Sequence, residues 1–456
     1  MNENNVAVIG AGITGLTVAF YLKKQGIPFT IFEKNARAGG VIHSMQKDGF
    51  IWETGPNNAV ISKPEVLELF EDLNALSLLE TAPSLAGKRY IWKNGKLHAI
   101  PSDPLHGLIT PLFSFRDKFG LLLEPFRKKG TDPQENLSSF VRRRLGNSIL
   151  DYTVDPFVSG VYAGDPEVLI TKYALPKLYN LEQKYGSFIR GAIQLMKQPK
   201  SDRDRKATKK TFSAKGGLSS LVEQLVEAIG QDHFVFECDH LKVTPKEKEY
   251  SISCSRGELG SFTKVITTFG ANHIFDALPF LTGKGFDDAS VVRYAKVAEV
   301  AVGFKEWKGI PLDGFGALVP SKEKRDILGV LFMSSLFQGR APEGGAMLAT
   351  FVGGLRHPEF VALDDESLKT LVKRELIQMM GIPDFSPDIF EISRHEFAIP
   401  QYDIATPHRI AAYDAIEKAY PGLLLGGNGI GGIGMADRIK QGRELAERAL
   451  YLNSTF

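Results

Sequence analysis

The stretch VAVIGAGITGL, residues 6–16, constrains this chain more than any other. A short apolar run ends at a glycine, and a helix with apolar spacing comes next. Gly10, Gly12 and Gly15 fit GxGxxG. The first glycine allows a tight turn, the second lets the backbone approach a pyrophosphate, and the third lets the helix pack on the strand. Ile13 and Thr14 would then sit at the positive end of the helix dipole, facing phosphate. A second strand, Phe29 to Phe32, ends at Glu33, 18 residues after Gly15. An acid there can hold ribose hydroxyls and argues against a 2′-phosphate. The pattern predicts a βαβ unit that binds a dinucleotide.

The next segment narrows the dinucleotide. In EKNARAGGVIHS, residues 33–44, Lys34 and Arg37 precede Gly39, Gly40 and Val41. This RxGG pattern is that of amine-oxidase-type flavoproteins, with Arg37 adding positive charge beside the pyrophosphate. WETGPNN, residues 52–58, lies just beyond it. Gly55, Pro56, Asn57 and Asn58 give an irregular backbone suited to lining a flavin ring. Near the other end, residues 419–436 form a long uncharged run, but Pro421 and seven glycines make it a poor membrane helix. It reads instead as a strand, a glycine loop and a helix starting near Met435. Gly427, Ile433 and Gly434 lie in that loop. Backbone N–H groups at such a helix start could meet the flavin edge where negative charge develops on reduction. The expected cofactor is FAD. No histidine or cysteine lies in this loop, so noncovalent binding is expected.

The rest of the chain carries few other chemical signals. Its two cysteines, Cys238 and Cys254, make neither a disulfide framework nor a metal cage, and a reducing cytoplasm is the default. The nine histidines do not cluster at ligand spacing. The start MNENN has no basic region before an apolar one, which predicts no secretory signal. The net charge of +2 gives no reason to expect nucleic acid. Yet residues 111–210 carry 19 Lys and Arg against 11 Asp and Glu. That bias fits a solvated helical surface, or one facing anionic lipid or an acidic substrate.

Periodicity predicts helices over 64–80, 216–230, 365–380 and 437–452 and a hairpin around Asn94-Gly95. Strands are expected at 233–237, 249–254, 263–268, 291–304 and within 326–352. From Pro111 to about Gln198 the texture is helical. Residues 197–215, polar and basic, read as a mobile loop. Strand–helix alternation returns only at the far C-terminus, so the nucleotide-binding domain is expected to be discontinuous.

On these motifs the chain resembles the oxygen-dependent protoporphyrinogen/coproporphyrinogen oxidases of haem biosynthesis, within the flavin amine-oxidase superfamily. The segments that carry the likeness, beyond the flavin motifs, include HAIPSDPLHGLI (98–109), LSSFVRRRLGNSILDYTVDPFVSGVYAGDPEVL (137–169) and AIPQYDIATPHR (398–409). The resemblance implies an α/β fold with an added helical part. A Rossmann-like FAD-binding domain would comprise 1–85, 211–290 and 405–456, and include Leu241 among its cofactor contacts. A mixed-sheet substrate domain would comprise 86–110 and 291–404. An inserted helical domain, 111–210, would lean on the inner face of the cytoplasmic membrane.

The implied reaction is oxidation of protoporphyrinogen IX or coproporphyrinogen III to the porphyrin, by three hydride transfers to flavin N5. Oxygen would reoxidise the flavin and give H2O2. No side-chain base is demanded. The implied substrate contacts are Gly160, offering backbone to pyrrole N–H groups, Gly316 and Leu318, packing on the macrocycle, and Leu331 and Phe351, completing an apolar slot. Many members have an arginine where this chain has His106. A histidine can pair with a propionate only when protonated, which puts that anchor in question. The likeness also implies a homodimer and a product passed to the next haem-pathway enzyme. Alternatives are an amine oxidase, a carotenoid-type desaturase, or a non-catalytic flavin-binding scaffold. The loop GGNGIGGIGMA lacks the aromatic residues that amine oxidases use as a cage.

Overall fold

The computed structural model describes residues 5–101 and 104–451. The strand Val6–Ile9 lies in the middle of a five-stranded, all-parallel sheet. Phe29–Phe32 and then Phe234–Val235 flank it on one side, Lys264–Thr267 and Leu423–Leu425 on the other. Both faces are covered, so each strand reads as an apolar run rather than an alternation. Three helices pack on one face: Ile13–Lys24, Ser219–Ile229 and Met435–Tyr451. Met435–Tyr451 packs against Ile13–Lys24, and Gly442 makes this possible. A Cβ there would lie 2.6 Å from the carbonyl oxygen of Thr14.

A second, seven-stranded sheet runs Ile389–Pro400, Tyr294–Phe304, Ala346–Gly353, Gly329–Phe332, Gly316–Leu318, Arg89–Lys93, Lys96–Ala99. One face packs on the helix Asp365–Met380, which starts at an Asp364 cap and ends at Gly381 in the left-handed region. The other face, with Ala301, Leu331, Ala349 and Phe351, meets Phe50 and Trp52 from the N-terminal part. Between Pro104 and Arg205 the chain is mainly helical. There Arg144 is fully buried between Glu124 and Glu182.

Several expectations need correction. The helix at 64–80 stops at Asp72, and Asn74 takes φ +54°. Leu79–Thr81 is a strand instead, because it pairs with Thr211–Ala214. That second strand lies in the stretch read as a mobile loop, yet all four of its residues are buried. Asp202–Arg205, also within that stretch, forms a capped helical turn whose Arg203 binds Glu65 and Glu68 at 2.8 Å each. Polar composition suggested mobility, but distant carboxylates supply the order. The run 326–352 is two strands around the short helix Met333–Leu336. The final helix starts at Met435, and position 452 lies outside the described residues.

Candidate functional site

The first glycine turn is held from three directions. Gly10 takes φ +102°, and its N–H donates to the carbonyl of Phe32 at 2.7 Å. Thr268 Oγ1 donates to the carbonyls of Ile9 (2.9 Å) and Gly10 (3.0 Å). The buried Glu33 accepts the Ala11 N–H on Oε2 at 2.8 Å and the Asn35 N–H on Oε1 at 2.9 Å. Glu33 therefore braces the glycine turn from the end of the second strand.

The three glycines differ in what confines them. A Cβ on Gly15 would lie 1.9 Å from the carbonyl oxygen of Gly10. On Gly12 it would meet nothing within 4 Å. Gly12 is thus the glycine that leaves room for something other than protein. It is also the N-cap of the helix that starts at Ile13 and Thr14, and no side chain caps that end. Orphan N–H groups of a first turn, an open space beside them and a carboxylate at the adjacent strand end fit a dinucleotide diphosphate.

The second motif closes on the first. Gly39 N–H donates to the Ala11 carbonyl at 2.8 Å, and a Cβ on Gly40 would lie 3.1 Å from Gly12 Cα. Arg37 curls back to donate to the carbonyls of Ala38, Gly40 and Ile42 at 2.9–3.1 Å, and Lys34 is exposed. Val41 is 65% exposed, and a Cβ on Gly55 would lie 2.1 Å from its carbonyl oxygen. Pro56 and Asn58 are half-buried around a buried Asn57. Leu241 is half-buried and packs against the core cluster on the opposite face of the first sheet.

The C-terminal loop is ordered by buried side chains that sequence reasoning missed. Arg438 donates to the carbonyls of Gly427 and Ile430, and burial pushes its pKa below the ordinary arginine value. Arg409, fully buried, donates to the carbonyl of Gly429 at 2.8 Å. Tyr402, from the IPQY segment, accepts the Gly432 N–H at 2.8 Å. Gly427 takes φ +101°, and a Cβ on it would lie 1.9 Å from the Phe269 carbonyl oxygen. Ile433 packs toward the helical region, and Gly434 leads into the helix at the buried Met435. An arginine three residues into a helix that succeeds a glycine loop is the signal that was available for Arg438.

Four of the expected substrate residues, Gly316, Leu318, Leu331 and Phe351, come together on the second sheet. Leu318 pairs with Gly329, and Gly329 with Phe351, so these three form one row across three strands. The next row is Gly316, Leu331 and Ala349. Gly316 takes φ +146°, and a Cβ there would lie 2.3 Å from the Val330 carbonyl oxygen. Gly160, on the helix Asp155–Tyr162, lies against Leu318. His106 is exposed in the short helix Pro104–Ile109. Positions 102–103 of the HAIPSDPLHGLI segment are outside the described residues.

The family of flavin containing amine oxidoreductases matches residues 13–450. Protoporphyrinogen oxidase 2 of Arabidopsis thaliana, chloroplastic/mitochondrial, is 31% identical over 486 residues, covering 100% of this chain and 95% of its own. Coproporphyrinogen III oxidase of Staphylococcus aureus is 30% identical over 475 residues, covering 98% and 99%. A crystal structure of an Exiguobacterium sp. 255-15 protein shares the fold, with TM-score 0.83 at 24% identity over 98% of this chain and 99% of that one.

Proposed function

The chain belongs to the flavin containing amine oxidoreductases, and from that premise we propose that it is an FAD-dependent oxidase of a porphyrinogen, protoporphyrinogen IX or coproporphyrinogen III. Two full-length relatives carry those two substrates in their names. The observation that supports the reading most directly is the row Leu318–Gly329–Phe351. It is an apolar strip with glycine at its centre and Gly160 above one end. Strands about 4.8 Å apart make such a strip wide enough for a flat macrocycle.

When bound, the flavin supplies a two-electron acceptor that takes a hydride in each of three rounds, and O2 takes the electrons on to H2O2. The chain's part is to bind and orient. Gly10, Gly12, Gly39 and Gly40 form the cradle for the diphosphate, and Glu33 the ribose anchor. Gly55 to Asn58 and the loop from Gly427 to Met435 would flank the ring. Leu318, Leu331 and Phe351 exclude water from the macrocycle faces, while Gly160 and Gly316 leave backbone close to it. The pyrrole N–H groups release the accompanying protons, so positioning is the main protein contribution.

His106, exposed at the surface, would serve as the propionate partner. Among the described residues no helix is long and apolar enough to cross a membrane. The helices Phe115–Leu122 and Phe188–Lys197 nevertheless expose apolar faces. Phe115, Phe119 and Leu122 lie on one, Ile189, Ile193 and Met196 on the other, with Phe126 between them. With the basic bias of 111–210, these faces support docking on the surface of an anionic bilayer.

The deciding experiment is porphyrin fluorescence growth in air with each freshly reduced porphyrinogen, alongside the flavin spectrum. Porphyrin formation above the spontaneous rate is expected, and the two kcat/KM values assign the substrate. A flavin spectrum with neither porphyrinogen oxidised would overturn the reading. His106→Ala should raise KM more than it lowers kcat.

A further inference from the structure

The strand Tyr294–Phe304 carries a buried carboxyl group to which no role has yet been given. Glu299 is 3% exposed, and its Oε1 accepts a hydrogen bond from Asn57 Nδ2 at 2.6 Å. The same Nδ2 donates to the Gly55 carbonyl at 3.2 Å. Both amide hydrogens of Asn57 are thereby committed. In the sheet, Glu299 pairs directly with Phe351 on one side and Ser393 on the other. Cross-strand partners point to the same face. Glu299 therefore extends the row Phe351–Gly329–Leu318 by one strand and touches the turn at Gly55 to Asn58.

We propose that Glu299 is a positioning residue for the oxidation, fixing the Asn57 amide at the seam between the flavin-lining turn and the macrocycle strip. The inference rests on the proposed function, which assigns those two surfaces. A small error in the relative placement of hydride donor and acceptor is costly, so a group that locks the seam is a lever on rate rather than on binding.

The charge state suits that role. Burial raises the Glu299 carboxyl well above the usual carboxylate range. Asn57 partly offsets this, and nearby Glu53 adds to it. Glu53 is itself engaged by Arg340 at 3.1 Å and Ser44 Oγ at 2.5 Å. On the neighbouring strand His395 Nε2 lies 2.7 Å from the Thr54 carbonyl oxygen, and Phe351 and Ser393 bring no charge. Burial thus favours the protonated form of Glu299, in which one oxygen accepts from Asn57 and the other carries the proton. A fixed anion at this seam would oppose the negative charge a flavin gains on reduction, and a neutral acid does not.

Two substitutions separate positioning from bulk. Glu299→Gln keeps an oxygen acceptor for Asn57, and Glu299→Met keeps the shape without it. Each is purified with FAD, its flavin content read by absorbance, and its kcat, KM and pH-dependent melting measured beside wild type. Glu299→Met should lose about tenfold or more in kcat with little change in KM, and Glu299→Gln should stay within about threefold of wild type.

Melting reads the acid without any porphyrinogen. A carboxyl raised in the native state costs stability as pH climbs from about 4.3, where the unfolded chain releases its proton, to the native pKa. Wild type should therefore lose stability over that window relative to Glu299→Gln. Three results would overturn the proposal: full kcat in Glu299→Met, equal loss in both variants, or parallel melting of wild type and Glu299→Gln across pH. The last still decides if Glu299→Met does not fold. Wild type that makes no porphyrin would instead sink the function itself, visibly and separately.

Discussion

A Cβ placed on Gly160 would lie 2.3 Å from Cδ2 of Leu318. Glycine inside a helix costs up to about 1 kcal/mol against alanine, so its presence in Asp155–Tyr162 calls for a reason. Clearance over Leu318 is that reason. The obstacle is the end of a flexible side chain, so Gly160→Ala should fold with an unchanged or slightly higher Tm. The displaced leucine would intrude on the macrocycle strip, and KM should rise about tenfold, or about 1.4 kcal/mol. Adding Leu318→Ala should recover most of that loss. A double-mutant cycle on kcat/KM measures the coupling, and additive effects would separate the two residues.

Gly12 and Gly15 share one motif and should fail in opposite ways. No protein atom lies within 4 Å of a Cβ on Gly12, whereas on Gly15 it would lie 1.9 Å from a backbone oxygen. Gly12→Val should give a colourless protein with a native circular dichroism spectrum. Gly15→Ala should lose about 1–3 kcal/mol of fold stability by overpacking, whether or not FAD is supplied. Absorbance at the flavin bands and chemical denaturation distinguish the two. A yellow Gly12→Val protein would remove the diphosphate from that space.

The contrast shows what the sequence could and could not reveal. Glycine spacing, the acid at position 33 and the C-terminal glycine loop are local patterns, so the cofactor cradle was legible. The parts that order it are not local. Thr268 reaches Gly10 across 258 positions, and Arg409 reaches Gly429 from another helix. The strand Thr211–Ala214 was misread for the same reason, since its partners Ala59–Val60 and Leu79–Thr81 lie more than a hundred residues away. Glu299 sits in an apolar strand whose pattern marks it only as an anomaly. Its meaning comes from Asn57, 242 positions earlier.

Arg340 and Glu53 form a buried ion pair at 3.1 Å, with side chains 1% and 0% exposed. Arg340 also donates to Ser213 Oγ at 2.8 Å, and Glu53 Oε1 accepts the Leu218 N–H at 3.0 Å. The pair thus ties the second sheet's side of the molecule to two segments of the first. Arg340→Met would leave Glu53 as an uncompensated buried charge, and about 3–5 kcal/mol of stability should be lost. Arg340→Met with Glu53→Leu should be less destabilised than Arg340→Met alone. Denaturant unfolding of FAD-bound protein tests both, and a loss under about 1 kcal/mol for Arg340→Met would mean that water reaches Glu53.

The exposed apolar faces of the helical region make the remaining prediction. Phe115 is 87% exposed and Phe126 78%, in a region where Lys118 and Arg190 lie over those same two rings. Large rings left in water are unfavourable for a free surface but suit the headgroup boundary, where rings insert and an exposed cation such as Arg190 can meet lipid phosphate. Burying one phenylalanine side chain contributes about 1.5–3 kcal/mol, so each of Phe115→Glu and Phe126→Glu should cut partitioning onto anionic vesicles by about tenfold or more. The cationic share should weaken with salt, since screening at 0.15 M already acts over about 8 Å. Neither residue touches the cofactor cradle or the macrocycle strip, so oxidation of a detergent-dispersed porphyrinogen should be unchanged. Co-sedimentation with vesicles of phosphatidylglycerol and phosphatidylcholine reads the effect. Wild-type protein that stays in the supernatant at low salt would remove the bilayer as the partner of these faces.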